Sequence, residues 1–116
     1  MRNFDINIKD NKIVILLLEG ANKSETSARR RYQDAVDKGS SVAYYAMKLA
    51  ETEVIYTSLD YTWHRNHYNS LKSYAGTDPV SKAELAVDKA KQAATKAKYV
   101  AAVAAFEEAD QAWMNG

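Results

Sequence analysis

The chain's two histidines, His64 and His67, stand three residues apart, which puts both imidazoles on one side of a helix. A metal site there needs a third ligand, and the nearest carboxylate at helical spacing is Asp60, one turn earlier. Neither Glu-x-x-His nor His-Glu-x-x-His occurs, so His64 is expected as a hydrogen-bonded histidine in a helix seam, and no metal or other cofactor is expected. Nucleophilic chemistry has no visible starting point. The chain has no cysteine and no Gly-x-Ser-x-Gly, and its four glycines (20, 39, 76 and 116) fall at expected element boundaries or the terminus. Carboxylate pairs such as Asp34 with Asp37, or Glu51 with Glu53, sit among lysines and arginines and read as solvated faces. The expectation is a protein that is not an enzyme.

Basic clusters are the second chemical signal. Arg29, Arg30 and Arg31 are consecutive, and Lys89, Lys91, Lys96 and Lys98 fall in a window free of acids. Tyr61, Trp63 and Tyr68 lie close to Arg65, a mixture that could stack unpaired bases as single-strand binders do. Against a nucleic-acid groove stands the overall balance, a net charge of +1 from 16 basic and 15 acidic residues. Lys82, Lys89 and Lys96 also form the kind of charged margin that flanks a helix seam. The arginines, expected near a helix N-terminus where the macrodipole disfavours cations, point to an acidic partner, phosphate or protein.

These residues are carried by a chain of 116 residues, long enough for a single domain over 1–116. Nineteen residues are alanine, while Ile, Leu, Val and Phe together number 22, so tyrosine and tryptophan must supply much of the buried area. The expected class is mainly α, an antiparallel helical hairpin or three-helix bundle with a short N-terminal β-hairpin. The hairpin is read over 1–20: Phe4, Ile6 and Ile8 alternate with polar residues, Asp10-Asn11 offers a turn, and Ile13 to Leu18 gives a second apolar arm. That arm is too short to span a bilayer or form a secretory core, so the expected location is cytoplasmic. Gly20 closes the hairpin, and Asn22 or Ser24 would cap a helix A over 24–38. Gly39 separates it from helix B over 40–75, and Gly76-Thr77-Asp78-Pro79 introduces helix C over 79–114.

Helix B carries two apolar seams on different faces. One runs Ala43, Met47, Ala50, Val54, Thr57, Tyr61, His64, Tyr68 and Leu71; the other runs Val42, Tyr45, Leu49, Tyr56, Leu59 and Trp63. One partner helix cannot cover both, so helix B is expected at the centre. On helix C a face of Ala83, Ala86, Ala90, Ala93, Ala97, Val100 and Ala104 is expected to dock on helix B, leaving Tyr99, Phe106 and Trp113 on the reverse side. The expected function is therefore protein–protein contact with homo-oligomerisation. Tyr99, Phe106 and Trp113, with Tyr45, Tyr56 and Trp63, would be the anchors, and Arg29, Arg30 and Arg31 would steer the partner. Single-stranded nucleic-acid binding is the alternative. In general build the chain resembles small accessory proteins of phages and bacteria, such as adaptors and inhibitors, and this likeness of architecture assigns no residue a role.

Overall fold

The computed structural model describes residues 6–74, 76 and 78–116. Among them the order is α1 (Asn11–Lys38), α2 (Val42–Tyr74) and α3 (Pro79–Asn115), with no strand. The helices lie side by side in a rod of 58 × 24 × 22 Å, about the length of a 37-residue helix at 1.5 Å per residue. α1 and α3 each pack on α2 and not on each other. A helical bundle fits this arrangement; the N-terminal β-hairpin does not.

The hairpin fails at the Asp10-Asn11 pair. Asp10 is extended (φ −89°, ψ 108°) and its carboxylate accepts a hydrogen bond from the Lys12 amide at 2.9 Å, so it caps a helix instead of turning a hairpin. Residues 13–18, expected as a strand, form the first turns of α1, with Val14 and Ala21 buried against α2. Helix A accordingly starts at Asn11, not at 24, and Gly20 and Asn22 lie inside it. Residues 1–5, the start of the expected hairpin, lie outside the described residues, as does Thr77. The segment just before α1 is held across α2 by side-chain bonds. Thr62 Oγ1 and Arg65 Nη2 donate to the Ile6 carbonyl at 3.3 and 3.2 Å, and Asn66 Nδ2 donates to that of Ile8 at 2.8 Å. Asn11 Nδ2 in turn donates to the Trp63 carbonyl at 3.2 Å.

Two clusters bury the two seams of α2. Met47, Ala50 and Val54 enclose Phe106 of α3, with Tyr99, Ala102, Val103 and Ala109 around them. On the other side Leu59 meets Val14 and Ala21 of α1, with Ile6, Ile8, Leu18, Tyr56 and Trp63 at the margin. The docking face of α3 is the reverse of the expected one. Its covered stripe runs Leu85, Asp88, Gln92, Thr95, Tyr99, Ala102, Phe106 and Ala109, while Ala83, Ala86, Ala90, Ala93, Ala97 and Ala104 are exposed. The physical reason is area: an aromatic side chain buries on the order of 150 to 250 Å², several times what an alanine methyl can. Alanine has the highest intrinsic helix propensity and needs no burial to favour a helix.

Candidate partner interface

The link between α1 and α2 sets the register of everything on their shared face. Gly39 adopts a left-handed conformation (φ 66°, ψ 28°), and its amide and that of Ser40 return to carbonyls of the last α1 turn. Ser41 is also left-handed, at φ 57°, which is costly for a residue with a Cβ. At the other end of α2, Asp78 caps α3: its carboxylate accepts from the Ser81 amide at 3.1 Å and the Ser81 hydroxyl at 2.9 Å, and these bonds lower its pKa.

The aromatic residues read as partner anchors are largely occupied within the chain. Phe106 is 3% exposed at the centre of the α2–α3 cluster. Tyr99, half-buried, stacks on Tyr61 with centroids 6.3 Å apart. Tyr56 and Trp63 pack on the α1 cluster, and Trp63 also stacks on His67 at 4.8 Å. Tyr45 is half-buried against the edge of Tyr44. Trp113 alone keeps substantial exposure, 43%, with its edge on Tyr44 at 5.7 Å.

Arg29, Arg30 and Arg31 sit well inside α1, not at a helix start, because the helix begins thirteen residues earlier than residue 24. The macrodipole argument for a partner therefore lapses. Arg29 forms a fork with Glu25 of its own helix at 2.6 Å and Glu53 of α2 at 3.2 Å, and chiefly the Glu25 hydrogen bond raises its pKa. Arg30 and Arg31 are exposed, as are Lys89 and Lys96 on the outer side of α3. The histidines pair separately: His64 Nε2 lies 3.6 Å from Asp60, and His67 Nε2 lies 3.6 Å from Asp88 of α3. Among the described residues no group of three His, Cys, Asp or Glu could hold a metal ion.

The most apolar open surface lies elsewhere. Ile13, Leu16 and Leu17 project from α1 with Leu16 at 67% exposure, and Ile55 of α2 faces the same side. Leu16, Leu17 and Ile55, with Ile6 and Gly20, line a groove of about 520 Å³ along the α1–α2 junction. A Cβ added at Gly20 would meet nothing within 4 Å, so the floor is open to close approach. The signal for this groove was present in the run Ile13 to Leu18. Placed on a helix, six consecutive apolar residues cannot all face α2, and the surplus must point outward. Compared with known proteins, the chain matches no family model, no curated protein and no solved structure. Among the described residues no helix is long and apolar enough to cross a membrane.

Proposed function

We propose that the chain is a non-enzymatic, cytoplasmic helical protein of adaptor or inhibitor type that acts through protein–protein contact and associates with a second copy of itself. The observation that carries this reading is the exposed apolar groove lined by Leu16, Leu17 and Ile55. A contiguous patch of large aliphatics is what monomeric proteins avoid and interfaces use. Two helices bearing such a patch can pair face to face about a two-fold axis, each supplying the same residues, which is the commonest oligomer geometry. Trp113, still 43% exposed, is the aromatic of the expected anchors that remains open to a further partner.

The test compares the wild type with Leu16→Lys by light scattering behind a sizing column, alongside thermal melting. The outward position of Leu16 predicts an unchanged melt for monomer folding and a fall in mass to that of one chain. If the substituted protein keeps a multimeric mass, the groove is not the contact surface.

A further inference from the structure

A second groove runs along the α1–α2 junction toward the α1 C-terminus, about 590 Å³ in volume and polar where the first is apolar. Three cations line it, Lys23 and Arg31 from α1 and Lys48 from α2, against a single carboxylate, Glu51. Lys48 lies 3.7 Å from Glu51, so that acid is already engaged by one of the three. Neither Lys23 nor Arg31 pairs with a carboxylate of the described residues within its reach, unlike Arg29 on the neighbouring turn. Ser24 and Ser27 add hydroxyl donors on the α1 wall between the two cations. The excess of cationic over anionic side chains in this lining suits an anion better than a metal ion.

Its far end is aromatic. Tyr44 and Tyr45 line the groove beside Arg31, and the Tyr44 ring is fixed by edge contacts to Tyr45 at 5.2 Å and Trp113 at 5.7 Å. The ammonium of Lys48 stands 5.8 Å from the Tyr44 ring centroid, joining the cationic and aromatic halves. From Lys23 to Arg31 the α1 wall spans eight residues, or about 12 Å. The α1 wall is a helix interior whose backbone amides are bonded within the helix. On the α2 wall only Tyr44 and Tyr45 lie in the first turn, where the Tyr45 amide bonds the Ser41 carbonyl, so recognition must come chiefly from side-chain tips and ring faces. That disfavours an extended peptide, which would need free backbone partners. A lone phosphate would fill little of the volume and leave the rings unused.

We propose that this groove binds a nucleoside phosphate, with the phosphates held by Lys23, Lys48 and the Ser24 and Ser27 hydroxyls and the base set against Tyr44 and Arg31. The charge-assisted contacts supply affinity, and the ring contact separates a nucleotide from other anions.

The test is calorimetric titration of the full chain with ADP, pyrophosphate, adenosine and an oligothymidylate strand, with helicity checked by circular dichroism. ADP is expected to bind at one per chain, more tightly than pyrophosphate or adenosine, and to change Trp113 emission through Tyr44. The pair Lys23→Gln with Arg31→Gln should weaken ADP roughly tenfold, from the loss of two exposed charged contacts. Lys89→Gln with Lys96→Gln makes the same charge change on the outer side of α3 and should leave ADP binding as it was. The proposal is overturned by no heat with ADP up to millimolar concentration, by equal weakening in both double variants, or by pyrophosphate binding as tightly as ADP. Tighter binding of the oligothymidylate than of ADP would also overturn it, in favour of a nucleic-acid strand. ADP binding by a protein that stays monomeric would leave this proposal standing while removing self-association.

Discussion

Replacing Phe106 by alanine separates the two ways α3 can sit on α2. With 3% of its surface exposed and Met47, Ala50 and Val54 packed on it, Phe106 removes on the order of 150 to 250 Å² from water. At about 25 cal/mol per Å² that is roughly 4 to 6 kcal/mol, of which the remaining methyl retains a part. Measured Phe→Ala substitutions in cores cost about 3 to 5 kcal/mol, which fits the same range. Small domains have only about 5 to 15 kcal/mol in all. Phe106→Ala should therefore lower the urea midpoint, followed at 222 nm, by a large fraction of its wild-type value. Val100, on the alanine face at 57% exposure, gives the contrast, since Val100→Ala should lie within about 0.5 kcal/mol of wild type. A small effect at Phe106 together with a large one at Val100 would mean that α3 docks by its alanine face, and the packing described here would be refuted.

Other substitutions test the junctions. Ser41→Gly should stabilise by about 1 kcal/mol, because it relieves a side chain held at positive φ, and Gly39→Ala should cost about as much, both read from denaturant midpoints. Asp10→Ala should cost about 1 kcal/mol and fray the first turn of α1, seen as faster amide exchange at Lys12. The Asp78 carboxylate is held below its ordinary pKa, so its cap is fully present above the unfolded value and is lost as pH falls through the lower, folded one. The protection of the Ser81 amide, its exchange relative to the intrinsic rate at the same pH, should fall in acid, and Asp78→Ala should remove that pH dependence. Thr62→Val should cost about 0.5 to 1.5 kcal/mol, since the buried hydroxyl donates to Ser58 at 2.7 Å and Ile6 at 3.3 Å. Proteolysis should then cut sooner ahead of Asp10.

The centre of the fold was legible because α2 carries large side chains on two faces. Met47, Ala50 and Val54 on one, and Tyr56, Leu59 and Trp63 on the other, demand two neighbours whatever those neighbours are. The N-terminus was not legible because its signals are ambiguous. An aspartate before a polar residue serves a hairpin turn and a helix cap alike, and an apolar run of six fits a buried strand or a helix start. Only the contact of Val14 and Ala21 with Leu59 decides between them. The face of α3 misled for a different reason. Alanine is compatible with water and with close packing, so a heptad of alanines carries no burial information, whereas Tyr99 and Phe106 do. With Tyr99 and Phe106 packed against α2, the large apolar side chains left exposed include the aliphatics of α1, Ile13, Leu16 and Leu17. Groove chemistry at Lys23, Arg31 and Tyr44 could not be read in advance, since it depends on the antiparallel register of α1 and α2.

Self-association through the α1 face is tested most directly by sedimentation equilibrium of the wild-type chain over roughly two decades of micromolar concentration. The groove of Leu16, Leu17 and Ile55 predicts a weight-average mass that rises above the 13.0 kDa of one chain toward a multiple of it. A mass of 13.0 kDa at every concentration would contradict it.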